Sequence, residues 1–305
     1  MTAVADPVHT LADLATWSFP GTALAVVGRP VAHSLSPAIH NAALAALARS
    51  QPAFAAWRYF KFDIAPTELP EALQLFQQHH FRGLNLTVPH KSLAVDLLAG
   101  ADDFVRAAGA ANTLSLSAGG WLGANTDGYG LATALREELG VGFAGARVIL
   151  LGAGGAGRGA AVECLRAGCA SLWIGNRTAD TLATLLADLR PLAGHANLQG
   201  FDLTRPPGDL PTEAIVINAT SLGLEPADPA PIDLAKIPRP AGVYDMIYRP
   251  LQTALLRQAA SLGFPHANGL SMLIHQGARS LGIWTGATVP VDVMQTAAHA
   301  ALSTP

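Results

Sequence analysis

Short β-branched apolar runs alternate along this chain with Ala- and Leu-rich stretches of helical period, a rhythm that predicts an α/β architecture. Residues 23–27 predict a strand, and the stretch after Pro37, through Asn41 to Ala48, a helix. A second strand is expected over 58–62 with a helix over 68–78, then a third strand over 84–88 with a helix over 91–98. Residues 113–116 and 121–123 predict a hairpin around Gly119-Gly120. Residues 128–139 predict a helix that stops at Gly140. The run 148–151 is continuously apolar, as a central parallel strand covered on both faces requires. Further strands are expected over 171–175, 214–218 and 243–247, with proline-rich loops at 206–207 and 226–240. A boundary is placed near residue 126, so that one domain covers 1–125 and a second 126–268. The remainder, 269–305, is helical from Met272 and is expected to pack back onto the first domain.

Composition first complicates this picture. Only 13% of the 305 residues are charged, the net charge is −3, half the residues are hydrophobic, and mean hydropathy is +0.31. A membrane protein would show such values, but a helical span needs about 20 nearly uninterrupted apolar residues. Arg, Asp, His or Pro breaks each apolar run sooner, and 30 Gly with 21 Pro supply turns. The residues before Trp17 include Asp6, Pro7 and Asp13 without a basic start, so no signal peptide is expected. The absence of a basic block argues against nucleic acid as a partner. Cys164 and Cys169 lack metal-ligand spacing and are expected to be buried thiols in a reducing cytoplasm. The ten histidines are scattered, and no metal is expected.

The second domain carries the more specific local signal. Gly152-Ala153-Gly154-Gly155-Ala156-Gly157 fits G-x-G-x-x-G directly after a strand. Such a loop makes a tight turn, bares its backbone to a pyrophosphate and aims helix amides at it. The end of the next strand reads Asn176-Arg177-Thr178 where an NAD site usually presents an acid. Arg177 can donate to a 2′-phosphate, so NADP is favoured, although nearby Asp180 keeps NAD possible.

Three polar islands interrupt the first domain. Ser34-Leu35-Ser36-Pro37 follows a strand, and its two hydroxyls suit a small anion such as a carboxylate; helix capping by Ser36 is the alternative. Asn85-Leu86-Thr87-Val88-Pro89-His90-Lys91 puts Asn85 and Thr87 on one strand face, with Lys91 just beyond. Asn125-Thr126-Asp127-Gly128 lies at the domain junction, with Asn112-Thr113 upstream, though each Asn or Asp alone is also a common turn former. His33, His40 and His90 flank these islands and are expected to be packing or hydrogen-bonding groups.

Taken in order, these motifs resemble the shikimate dehydrogenase family. Gly28-Arg29-Pro30 with His33 to Pro37 and His40-Asn41 resembles its opening motif, and Asn85 to Lys91 its catalytic motif. Ala111-Asn112-Thr113, Asn125 to Gly128, Asn176-Arg177-Thr178, Asn218-Ala219-Thr220-Ser221, Tyr244 to Tyr248 and Gly269 to Gln276 continue the match over roughly residues 24–286. The resemblance implies an α/β substrate domain, a Rossmann-type doubly wound NADP domain and C-terminal helices returning to the first domain. It further implies an oxidoreductase that reversibly reduces 3-dehydroshikimate to shikimate with NADPH, in aromatic amino-acid biosynthesis. Lys91 and Asp127 would form the catalytic pair. Ser34, Ser36 and Thr87 would bind the ring carboxylate, and Asn85, Asn112, Asp127 and Gln276 the ring hydroxyls, with Tyr244 nearby. Gly152, Ala153, Gly154, Gly155, Ala156, Asn176, Arg177 and Thr178 would line the cofactor site, with Thr220 and Met272 adjoining. A monomer or homodimer with a small-molecule substrate is expected. A quinate/shikimate or aminoshikimate dehydrogenase is the nearest alternative, and a non-catalytic NADP-binding regulator a more distant one that the presence of Lys91 and Asp127 disfavours.

One departure from the family pattern is Thr181, where many NADP-using relatives carry a second basic residue. With Arg177 as the main contact to the 2′-phosphate, the preference for NADP over NAD is expected to be weaker than a two-arginine clamp gives. Kinetics with both cofactors check this: Arg177→Ala should abolish the preference, and a variant with intact selectivity would refute the assignment.

Overall fold

The computed structural model describes residues 6–303. The chain divides into two units, one running up to Thr126 and resuming at Gln276, the other spanning Asp127–His275.

The first unit is built on strands β1 (Val8–His9), β2 (Thr22–Gly28), β3 (Trp57–Asp63), β4 (Gly83–Leu86), β5 (Gly100–Ala101), β6 (Thr113–Ser117) and β7 (Gly120–Ala124). They form one seven-stranded sheet in the order β1-β3-β2-β4-β6-β7-β5. Helices α1 (Leu11–Ala15), α2 (Ser36–Ser50), α3 (Leu69–Gln78), α4 (His90–Leu93) and α5 (Asp103–Ala108) connect them. Strands β1, β3, β2 and β4 run parallel, β6 is antiparallel to β4, and β7 turns back again. The ends of β2, β3, β4 and β7 and the start of β6 therefore meet at one edge of the sheet.

The two faces of this sheet differ because strand side chains alternate. Ala23, Ala25 and Val27 share an apolar core with Phe62, Leu84 and Leu86, closed by Phe76, Phe81, Val105 and Trp121. Phe62, Phe76 and Phe81 meet edge to face with centroids 4.7 to 5.7 Å apart, the arrangement ring quadrupoles favour. The opposite face carries Tyr59, Lys61 and Asn85 beside Leu24 and Val26, with Tyr59 opposite Leu24 and Lys61 opposite Val26. The amino-terminal segment extends the sheet: β1 pairs with β3, Thr10 and Asp13 cap α1 reciprocally, and Leu14 is fully buried.

Two expectations are corrected here. The strand expected through Val88 ends at Leu86. Thr87 keeps one ladder bond, its amide donating to the Val27 carbonyl at 2.9 Å, but the chain then turns and His90 N bonds Thr87 O at 2.8 Å. Thr87 thus lies past the strand rather than on it with Asn85. The helix expected over 91–98 is only His90–Leu93 plus a tight 3₁₀ turn, Val95–Leu97. The chain must straighten there because Ala99 N bonds Trp121 O at 2.9 Å and β5 pairs with β7.

In the second unit α6 (Asp127–Leu139) leads into β8 (Arg147–Leu151), α7 (Gly155–Arg166), β9 (Ser171–Asn176), α8 (Ala179–Leu189), β10 (Asn197–Asp202), β11 (Ile215–Asn218), β12 (Gly242–Asp245), α9 (Ala254–Ser261) and β13 (His266–Asn268). All pairings are parallel, and the order β10-β9-β8-β11-β12-β13 is the doubly wound order that reverses direction beside its first strand. Strand β10 was not expected from the pattern because five of its six residues are exposed or only half-buried. Burial raises the thiol pKa of both Cys164 and Cys169. The division between units falls within α10 (Leu270–Thr285), and α11 (Val291–Leu302) packs along α2 in the first unit. No helix among the described residues is long and apolar enough to cross a membrane.

Trp284, late in α10, anchors the first unit's sheet. Its indole donates to Leu114 O at 2.9 Å, and its ring lies so close to Gly83 that a Cβ there would overlap it. Gly83→Ala should therefore cost about 1–3 kcal/mol through overpacking. Denaturant midpoints measure this, and an unchanged midpoint would contradict the packing described.

Candidate active site

Asn85, the penultimate residue of β4, starts a buried polar network at the edge where the strands of the first unit end. The Tyr59 hydroxyl donates to Asn85 Oδ1 at 2.7 Å. Asn85 Nδ2 donates toward Asn112 O at 3.0 Å, Ser280 Oγ at 3.0 Å and Thr113 Oγ1 at 3.2 Å. Asn112 Nδ2 donates to Thr126 Oγ1 at 3.0 Å and to Gln276 Oε1 at 3.1 Å. Its Oδ1 accepts from Thr126 N at 2.8 Å and Thr113 Oγ1 at 2.9 Å. Ser280 Oγ donates to Gln276 O at 3.0 Å and lies 2.7 Å from Thr113 Oγ1 and 3.1 Å from Thr126 Oγ1. All of these groups are buried, and in low dielectric such a connected set of bonds helps hold each amide in one orientation. Asn85, Asn112 and Gln276, expected from the motifs to recognise ring hydroxyls, are thus brought together.

The serine loop lies at the same edge, after β2. Ser34 N bonds Val31 O at 3.0 Å, and Ser34 Oγ accepts from Ser36 N at 3.3 Å. Helix α2 begins at Ser36 itself, after Leu35, and no side chain caps it. The capping alternative for Ser36 therefore gives way. Ser36 is buried, and burial raises the pKa of the nearby Tyr59 hydroxyl well above its usual value. The His40 ring stacks on Tyr59 at 4.1 Å and 17°, with Nδ1 donating to Ser36 O at 2.8 Å. Complete burial lowers its pKa to about 4, although the bond to the Ser36 carbonyl opposes this. His90 is likewise buried, its Nε2 donating to Ile64 O at 2.9 Å. Lys91 is half-buried on α4, and its carbonyl accepts Ala111 N at 2.8 Å, which fixes its turn beside Asn112.

In the second unit the expected cofactor residues gather at the carboxyl ends of β8, β9, β11 and β12. Gly152 has φ +107°, and a Cβ on Gly157 would overlap the Gly152 carbonyl. Nothing lies within 4 Å of where a Cβ would stand on Gly154 or Gly155. The turn into α7 therefore offers open, bare backbone at a helix start, which fits a dinucleotide pyrophosphate. Asn176 Oδ1 accepts from Ala153 N at 3.2 Å and its Nδ2 donates to Thr178 O at 3.0 Å, tying the turn to the end of β9. Arg177 is exposed, and Thr178 precedes α8 without capping it. The Thr220 hydroxyl donates to Asn218 Oδ1 at 2.7 Å, while Asn218 Nδ2 donates to Asp245 Oδ1 at 3.0 Å. Burial raises the Asp245 carboxyl, and Thr253 donates to its Oδ2 at 2.6 Å. Tyr244 is fully buried, its hydroxyl accepting Met272 N at 3.3 Å and its pKa raised by burial. Asp127 is buried and opens α6.

Sequence reasoning missed Ser280, Tyr59 and Lys61. Ser280 lies four residues after Gln276, one helical turn on, so its facing was readable from spacing. Thr113 and Thr126 lie within the Asn112-Thr113 and Asn125 to Gly128 motifs and join the network through their hydroxyls.

The doubly wound sheet with its bare turn defines an α/β dinucleotide-binding protein. Residues 26–114 match the model of the shikimate dehydrogenase substrate binding domain, and residues 269–299 that of the shikimate 5′-dehydrogenase C-terminal domain. A shikimate dehydrogenase (NADP(+)) of Symbiobacterium thermophilum is 41% identical over 289 residues, covering 93% of this chain and 95% of that protein. The crystal structure of the Thermus thermophilus enzyme with NADP(H) and shikimate aligns with a TM-score of 0.79 at 35% identity, over 92% of this chain and 99% of that one. Quinate dehydrogenase of Corynebacterium glutamicum, in complex with NAD, aligns at 0.78 and 27% identity over 91% and 98%. The chain belongs to the shikimate dehydrogenase family.

His40 makes the first unit sensitive to acid. It stays neutral in the folded protein down to about 4, against a value of 6.5 when free. Between these values the unfolded chain binds the extra proton, so stability falls as pH drops from 6.5 toward 4, at up to about 1.4 kcal/mol per pH unit. His40→Gln should flatten that slope in denaturation series across the window; parallel curves would exclude His40 as the source.

Proposed function

We propose that this chain catalyses the reversible NADPH-dependent reduction of 3-dehydroshikimate to shikimate, a step of aromatic amino-acid biosynthesis. The observation that carries the reading is the buried set of Asn85, Asn112 and Gln276, held at the sheet edge that also bears Ser34, Ser36, Thr87 and Lys91. Ser34, Ser36 and Thr87 bind the ring carboxylate, and the amides recognise the ring hydroxyls. Bound NADPH supplies the hydride. Lys91, as the ammonium, stabilises the oxygen that gains charge and gives it a proton; in the oxidative direction the neutral amine takes that proton back. Asp127 orients Lys91 and accepts from a substrate hydroxyl, and Tyr244 lies near the substrate. The bare turn from Gly152 through Ala156 receives the pyrophosphate, Asn176, Arg177 and Thr178 the adenosine end, with Thr220 and Met272 adjoining. The enzyme works in the cytoplasm as a monomer or homodimer.

Lys91→Ala should lower turnover about 10²- to 10⁴-fold while shikimate still binds, as calorimetry and steady-state kinetics measure. Undiminished turnover removes Lys91 from this role. Assays of shikimate, quinate and aminoshikimate with NADP and NAD decide between the main reading and a quinate-oxidising one; quinate's added ring hydroxyl must fit beside Ser36.

A further inference from the structure

We propose that Lys61 is a further carboxylate-binding residue, whose buried ammonium makes the site select an acid over a neutral polyol of the same shape. The inference rests on the function proposed above and deepens it.

Lys61 stands on β3 and is only 7% exposed. Its Nζ donates to Ala32 O at 2.9 Å, and no carboxylate among the described residues pairs with it. An ammonium has three N–H donors, so two are left for another partner. Taking a cation out of water without a counter-charge is unfavourable, and buried charges are accordingly paired or neutralised. Among the described residues Lys61 meets one neutral carbonyl and no anion.

Position indicates where the anion comes from. Ala32 is two residues before Ser34 in the loop whose hydroxyls are assigned to the substrate carboxylate. Val26 on β2 pairs with Lys61 on one side and with Asn85 on the other. Lys61 and Asn85 therefore share one row on the same sheet face, about 10 Å apart by strand spacing. Tyr59, two residues before Lys61 on that face, donates to Asn85. A ring acid whose hydroxyls engage the amides at the Asn85 end turns its carboxylate toward the serine loop at the Lys61 end. The counter-charge of Lys61 thus arrives with the substrate.

The contrast to be measured is acid against neutral analogue: KM for shikimate and for its methyl ester, in the unsubstituted enzyme and in Lys61→Met, Lys61→Gln and Lys61→Arg. The glutamine variant retains an N–H donor for Ala32 O, which separates charge from loop anchoring. In the methionine and glutamine variants KM for shikimate should rise about ten-fold or more, while KM for the ester and for NADP moves less than two-fold. The arginine variant should recover part of the loss. Thermal shift gives a second readout: shikimate should raise Tm less in Lys61→Gln than in the unsubstituted enzyme. A shikimate KM within two-fold of the unsubstituted value, or an equal rise for acid and ester, overturns the proposal. Failure of the unsubstituted enzyme to oxidise shikimate instead overturns the function on which it rests.

Discussion

The bonds that Ser280 makes to Asn85, Thr113 and Thr126 join α10 to the edge of the first sheet and hold the Asn85 amide there. Removing one hydroxyl there leaves a buried donor or acceptor unpaired, a cost of about 1–3 kcal/mol. The partners are separated by 154 to 195 residues in the chain. The first unit's polar edge therefore takes final form only when α10, distant in the chain, is in place.

The same edge shows how one sheet serves two purposes. Its apolar face, from Val27 and Phe62 to Phe76 and Trp121, contributes burial and makes no chemical demands. Its other face exchanges part of that burial for Tyr59 and Asn85, which bond each other, and for Lys61, which meets a single carbonyl. In the second unit the polar groups behind the bare turn are organised in sequence: Thr253 holds Asp245, Asp245 holds Asn218, and Asn218 shapes the turn at Thr220.

Much of this is legible in the sequence. The run 148–151 followed by glycines marked β8 and its turn, because a doubly covered strand must be apolar and a pyrophosphate turn must be bare. The islands around Ser34, Asn85 and Asn112 stood out because polar residues are conspicuous in so apolar a chain. What stayed hidden depends on packing across long separations. Tyr59 and Lys61 sit in a strand that reads as ordinary alternation, and only register with Val26 shows that they face Asn85. The early end of the helix after His90 was equally invisible, since the pairing of β5 with β7 that causes it joins residues 22 apart.

The first unit's sheet ends on both sides in strands of two residues, β1 and β5. A long open edge is a template on which another molecule can add its own backbone, and proteins commonly guard such edges with charge. This chain has little charge to use, with 13% of its residues ionisable as Asp, Glu, Lys or Arg. Terminating the sheet in strands too short to template an added one offers the same protection by geometry. Colloidal behaviour in a protein this apolar would then depend on those two short pairings, and loss of the amino-terminal strand, which exposes the longer edge of β3, would appear as self-association before it appeared as lost catalysis.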